Sequence, residues 1–275
     1  MIHHRFSMIG LPPRPARPRE EGITIMLDKG LSCRQVEDFL EISGEYVDIV
    51  KLGWGTAVIT PGLERKLDIY RAAGVPVYFG GTLFEAFYLR GQLDTYCRIL
   101  DHYRIEHVEV SDGSIEISHQ EKLACIRDFA AHFTVLSEVG SKDGEKIMPP
   151  YKWVQMIRSE LEAGSWKVIC EARESGTVGL FRPNGEVRSG LVAEMVDLID
   201  RTKLIFEAPQ KAQQVWFIKH SGPNVNLGNI APEEVLSLET LRLGLRADTL
   251  FDFVGPRAAI TAPSSNGHSA GDGMP

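Results

Sequence analysis

The sequence predicts a closed α/β fold, a (β/α)8 TIM barrel, and three observations carry that prediction. Eight short β-rich runs alternate with helical patterns, the polar residues that close those runs recur at near-regular intervals, and a chain of 275 residues suits one barrel of about 250. The closing residues are Asp28, Lys51, Gly80, Glu109, Glu138, Glu171, Glu207 and Asn226. Their first six intervals are 23, 29, 29, 29, 33 and 36 residues, each enough for one turn, one helix and one strand. Eight such units favour a barrel over an open doubly wound sheet. The last interval, 19 residues, leaves room only for a short helix around 211–217, so an abbreviated helix is expected between the last two strands.

In chain order, Gly10-Leu11-Pro12-Pro13-Arg14-Pro15-Ala16-Arg17-Pro18-Arg19 reads as a polyproline-like stretch within an N-terminal arm, residues 1–22, whose arginines suit surface or interface contacts. Residues 23–27 form the first strand. Ser32 and Gln35 then make a capping-box pattern ahead of Val36, Phe39 and Leu40. After the strand at 47–50, Thr60-Pro61 opens a helix with Leu63, Leu67 and Tyr70 on one face; Gly74 ends it, and the strand at 75–79 follows. Strands at 107–110 and 133–136 bracket a helix marked by Leu123, Ile126 and Ala130. Val154, Ile157 and Leu161 mark the next helix, before the strand at 167–170. Leu191, Met195 and Leu198 mark another, and strands at 204–206 and 224–227 complete the set. Residues 1–255 therefore read as one barrel domain, and 256–275, rich in Pro, Gly and Ser, as a disordered tail.

Charge and cysteine usage exclude several functions. Thirty Lys and Arg against 37 Asp and Glu give −7, and residues 1–19 hold four arginines with no acid, leaving 26 basic against 37 acidic residues, −11, on the remainder. Such a surface argues against general nucleic-acid binding, which needs clustered positive charge. Cys33, Cys97, Cys125 and Cys170 are scattered without a C-x-x-C pair, so structural zinc and dithiol redox chemistry have no support. No apolar segment reaches bilayer length and no signal-peptide pattern opens the chain, so a soluble cytoplasmic protein is expected, without membrane partners. Barrels of this size often associate, so a homo-oligomer is expected, with the arm reaching a neighbour or closing the lower end of the barrel.

The candidate site lies where the strands end. Side chains alternate along a strand, so Glu109 shares a face with His107 and Ser111, Glu171 with Ile169, and Glu207 with Ile205. If those faces point inward, the C-terminal mouth gathers Glu109, Glu138, Glu171 and Glu207 with Asp28, Lys29, Lys51 and Arg173. Any one of these acids could simply cap a helix or pair with a lysine. Together they suit a hard cation such as Mg²⁺, with an anionic substrate held by the bases. Gly80-Gly81-Thr82 and Gly222-Pro223-Asn224-Val225-Asn226-Leu227-Gly228-Asn229 are candidate phosphate loops or tight turns, with Gly81, Asn224 and Gly228 as the contact positions. Lys142, four residues beyond Glu138 on a glycine-flanked loop, is a general acid, an anion clamp or a surface lysine. Ser175-Gly176-Thr177-Val178-Gly179 is a lid or a surface insertion.

Other chemistries find little. Gly53-Trp54-Gly55 lacks the third glycine of a dinucleotide fingerprint, since Val58 stands there. There is no Walker loop, no H-x-H or H-E-x-x-H pair and no G-x-S-x-G elbow.

Seven segments, read in order, resemble the phosphosulfolactate synthase family: Leu27-Asp28-Lys29-Gly30, Lys51-Leu52-Gly53-Trp54-Gly55-Thr56, Gly80-Gly81-Thr82, Glu109-Val110-Ser111-Asp112-Gly113, Ser137-Glu138-Val139-Gly140, Glu171-Ala172-Arg173-Glu174-Ser175-Gly176 and Gly222-Pro223-Asn224-Val225-Asn226-Leu227-Gly228. The likeness runs from about residue 10 to 254 and includes the arm. It implies a (β/α)8 lyase that adds sulfite to phosphoenolpyruvate with Mg²⁺ to give phosphosulfolactate, an early step towards coenzyme M. It further implies Lys142 as general acid, Lys29, Lys51 and Arg173 as holders of phosphate, carboxylate or sulfite, and two or three of Glu109, Glu138, Glu171 and Glu207 as metal ligands. The family also resembles plant heat-stress-associated proteins, which gives the alternative: a non-catalytic barrel that binds a partner. A third reading is a related enzyme using another nucleophile or acceptor.

Overall fold

A computed structural model describes residues 10–140, 148–172 and 175–254. Eight strands, all parallel to their paired neighbours, surround one axis: β1 Thr24–Asp28, β2 Ile49–Leu52, β3 Val77–Phe79, β4 His107–Val110, β5 Thr134–Val139, β6 Lys167–Cys170, β7 Leu204–Glu207 and β8 Leu227–Ile230. Ladders run β3-β2-β1-β8-β7-β6-β5-β4, and β4 lies beside β3, so the barrel is nearly closed. This is the fold class that the spacing predicts.

The helices are α1 Cys33–Ser43, α2 Thr56–Ile59, α3 Leu63–Ala72, α4 Gly81–Tyr88, α5 Leu93–His102, α6 His119–Ala130, α7 Pro150–Glu162, α8 Ser189–Leu198, α9 Lys211–Ser221 and α10 Val235–Arg242. Ser32 and Gln35 exchange both bonds of the expected capping box at α1, and Ser118 with Glu121 does the same at α6. None of the described helices is long and apolar enough to cross a membrane.

Two expectations change. The helix between β7 and β8 is not abbreviated, since α9 has 11 residues and ends at Gly222, whose φ of 89° favours glycine. Because α9 takes its full length, β8 starts at Leu227, and 222–226 becomes the entry to that strand rather than its exit. The β3–β4 connection carries two helices, α4 and α5, instead of one loop and one helix.

Strand alternation builds two layers of core. Outward side chains such as Met26, Val50, Phe79, Val108, Val135, Val168 and Phe206 pack under the helices. Inward, Ile23, Ile25, Ile49, Tyr78, Leu136, Ile169 and Ile205 fill the barrel as a separate apolar plug. Polar inward residues are thereby pushed to the two ends of the axis.

The lower end is closed by the arm. Arg14 is 3% and Arg19 4% exposed, so these arginines are internal struts rather than surface contacts. Arg14 forms two bonds to Glu239 of α10, at 2.9 and 3.1 Å, and donates to the Gly22 carbonyl. Arg19 pairs with Asp48 at 2.9 Å, and Arg17 donates to the Gly44 carbonyl at the end of α1, to the Val47 carbonyl ahead of β2 and to the Gly74 carbonyl just past α3. The proposed C-terminal tail lies outside the described residues.

Candidate active site

Above the apolar plug, β2, β4 and β5 carry an inward charged side chain at their penultimate position (Lys51, Glu109 and Glu138), β7 ends on Glu207, and Glu171 follows β6 directly. Lys51 stands at the centre. Its Nζ is 3.0 Å from Glu109 Oε2, 3.5 Å from Glu207 Oε1 and 3.9 Å from Glu138 Oε2. Oxygens of Glu138, Glu171 and Glu207 all lie within 4.8 Å of one another, and all three residues are buried. These groups border a cavity of about 410 Å³ at the C-terminal mouth, lined also by Leu27, Trp54, Thr82 and Ser175.

Each acid has a local reason for its orientation. Glu109 Oε1 accepts from the Gly81 amide at 2.6 Å, at the N-terminus of α4. A Cβ at Gly81 would collide with Ser111 Oγ and Glu109 Oε1, so the close approach requires glycine. Glu207 Oε2 accepts from the Ala172 amide at 2.9 Å. Gly140, at φ 144°, passes against the Glu171 side chain where a Cβ would not fit. Behind the mouth, Ser111 donates to Glu85 of α4 at 2.6 Å.

The electrostatics follow from crowding. Burial pushes the Glu207 carboxyl up to about 7, Lys51 pulls it back, and the neighbouring Glu138 and Glu109 raise it further. Burial alone would lower the Lys51 ammonium, but Glu109, Tyr78, Glu207 and Glu138 outweigh it and hold it well above its ordinary value. Burial and Glu109 likewise raise the Tyr78 phenol. Among the described residues, Glu109, Glu138 and Glu207 surround Lys51 and Glu171 lies beside them, a crowding of buried carboxylates that favours a cation or a proton in their midst. The donors are carboxylate oxygens alone, the set that suits Mg²⁺ rather than zinc or copper.

The positions expected from the sequence divide sharply. Glu109, Glu138, Glu171, Glu207, Lys51 and Gly81 line one cavity. Gly228 pairs in register with Glu207 and faces Ile205 and Glu207, but it does not border the cavity. Lys29 is exposed just past β1 and does not border the cavity. Asp28 does not reach the mouth: it turns outward, where it pairs with Lys66 at 2.6 Å and accepts from Tyr70 and from the amides of Gly30 and Leu31. Asn224 is a second correction. It sits at the opposite end of the barrel, on the entry to β8, bonded to Arg14 and to the Pro13 carbonyl. Lys142 and Arg173 lie outside the described residues.

The segment 175–188 is packed over α9. Gln210 and Gln213 donate to the Ser175 and Gly176 carbonyls, Leu180 and Phe181 are fully buried, and Ser175 borders the cavity. Sequence reasoning gave Trp54 and Tyr78 no place at the mouth and, though it set Asn229 in a candidate phosphate loop, did not count it as a contact position. A full-length helix before β8 would have exposed the last of these, because it places Asn229 rather than Asn226 at the strand's exit.

The model of the (2R)-phospho-3-sulfolactate synthase (ComA) family matches residues 12–248. The chain is 43% identical over 244 residues to a phosphosulfolactate synthase of Bacillus subtilis, covering 88% of this chain and 97% of the relative. It is 43% identical over 245 residues to one of Methanothermobacter thermautotrophicus, covering 87% and 95%. Arabidopsis thaliana protein HEAT-STRESS-ASSOCIATED 32 is 23% identical over 83% of this chain and 88% of its own length. Among solved structures, 3-hexulose-6-phosphate synthase from Salmonella typhimurium has a TM-score of 0.52 at 14% identity, covering 80% of this chain and 98% of its own, a likeness of fold.

Proposed function

The chain belongs to the (2R)-phospho-3-sulfolactate synthase family and is a lyase-type enzyme, and from that premise we propose that its mouth joins sulfite to phosphoenolpyruvate with Mg²⁺ held by Glu138, Glu171 and Glu207. The observation that carries this reading is the three-glutamate cluster beside a lysine in one cavity. The sulfite sulfur donates its lone pair to the methylene carbon. The C–S bond forms, the double-bond electrons move toward the substrate carboxylate, and the neighbouring carbon then takes a proton to give phosphosulfolactate. Nothing is oxidised and the phosphate ester stays intact.

Mg²⁺ held by these glutamates would supply positive charge that stabilises the substrate carboxylate as it gains electron density. Lys51, pinned by Glu109 and kept charged by its neighbours, offers a second positive centre that needs no rearrangement during the reaction. Glu109 spends one oxygen on the Gly81 amide and the other on Lys51, so its role is to orient both. Trp54 and Leu27 border the cavity with apolar surface and reduce water access. Lys142, three residues beyond Val139 at the end of β5 in the chain, is the proton donor in this scheme.

The test is direct. Purified protein with phosphoenolpyruvate, sulfite and Mg²⁺ is expected to form phosphosulfolactate, with Lys142→Ala reduced to background. No product above that control would overturn the synthase reading.

A further inference from the structure

Strand β8 departs from regular pairing beside the mouth. Residues Thr24 and Met26 of β1 pair with Leu227 and Ile230 of β8, so three steps along β8 match two along β1. The surplus residue is a β-bulge, a device that re-aims a side chain. Leu227 and Ile230 face the outer core and Gly228 faces inward. By strict alternation Asn229 would point outward, yet it lines the mouth cavity.

Its backbone makes this possible. Asn229 has φ of 56°, in the left-handed region that asparagine tolerates better than most residues but still at a cost. The residue is 8% exposed and borders the cavity, and among the described residues its side-chain amide makes no hydrogen bond. A strained residue that turns an unpaired side-chain amide toward a cavity is placed to meet a partner from outside the chain. An amide can donate through Nδ2 without adding negative charge to a mouth already crowded with carboxylates.

We propose that Asn229 is a substrate-binding residue whose Nδ2 donates to an anionic oxygen, of phosphate or of carboxylate, and that the bulge in β8 exists to aim it there. The proposal rests on the reading of this cavity as a site for a phosphorylated carboxylic acid. It deepens that reading by naming a contact on the strand that otherwise contributes only backbone to the mouth.

The test compares wild type with Asn229→Gly and Asn229→Asp in calorimetric titrations with phosphoenolpyruvate, inorganic phosphate and pyruvate, with Mg²⁺ present, alongside turnover. Asn229→Gly relieves the backbone strain, so it should fold with an unchanged or higher Tm. It should weaken phosphoenolpyruvate binding about tenfold and raise KM with kcat little altered, as loss of a hydrogen bond to a charged group does. Asn229→Asp, which adds negative charge, should weaken binding more. Weakened phosphate binding with unchanged pyruvate binding assigns the oxygen to phosphate, and the reverse assigns it to carboxylate. Loss of anion affinity in the variants without any synthase turnover in wild type would uphold Asn229 and sink the proposed reaction. Equal affinities for all three probes in wild type and both variants, including no affinity in any of them, would overturn the inference.

Discussion

Glu207 shows how a single side chain feels the whole mouth. In water its carboxyl would titrate near 4.5, but burial and the adjacent Glu138 and Glu109 push it up to about 7 against the pull of Lys51. The folded protein therefore holds that proton more tightly than the unfolded chain. The resulting stability is fully present below the unfolded value and is lost as pH rises through about 7. In metal-free protein the melting temperature should fall between about pH 5 and about pH 8, by roughly 2–3 kcal/mol of stability from this group, and Glu207→Gln should flatten the fall. Parallel wild-type and variant curves across that window would contradict the assignment. That Glu207 ends a strand is plain from Leu204-Ile205-Phe206-Glu207; that it shares a lysine with Glu109 and Glu138 is not, because those residues lie on different strands far apart in the chain.

Elements are tied together by a second buried charge group outside the mouth. Lys122 of α6 is fully buried and pairs with Asp112 of the loop after β4 at 2.9 Å and with Glu160 of α7 at 2.8 Å, while also donating to the Glu138 carbonyl at the end of β5. One ammonium thus fixes four segments. Lys122→Met leaves the buried Glu160 and the half-buried Asp112 without their cation and should cost about 3–5 kcal/mol, whereas adding Glu160→Leu should recover part of that loss. Denaturant midpoints measure both, and an unchanged midpoint in the single variant would refute this account. At this scale local signals were reliable where chemistry is local: Ser32 with Gln35 announces α1, and the apolar spacing of Leu63, Leu67 and Tyr70 announces α3. The length of α9 was not legible, because the asparagines at 224, 226 and 229 suit a strand exit equally well in sequence. Only pairing of β8 against β7 and β1 selects the last.

Over the whole molecule, two ends of one axis do different work. The upper end collects acids around Lys51, and the lower end is locked by arginines of the arm. Arg14 is joined to Glu239 in a pair that is almost wholly buried, so Arg14→Ala should destabilise the protein by about 3–5 kcal/mol. Its cavity, at the far end, should keep its affinity for phosphoenolpyruvate at temperatures where the variant stays folded. A variant with wild-type Tm would show that the arm is not structural. The sequence by itself determined the barrel, since repeated βα units with inward apolar residues have few ways to bury eight parallel strands. It also determined that Glu109, Glu138, Glu171 and Glu207 stand at strand ends, because position along a strand is a one-dimensional property. Tertiary structure decided the rest: that Asp28 turns away to Lys66, that Asn224 belongs to the floor, and that Asn229 is swung into the mouth. Those outcomes depend on register between strands and on which buried charge finds a partner, and both are settled only when distant segments meet.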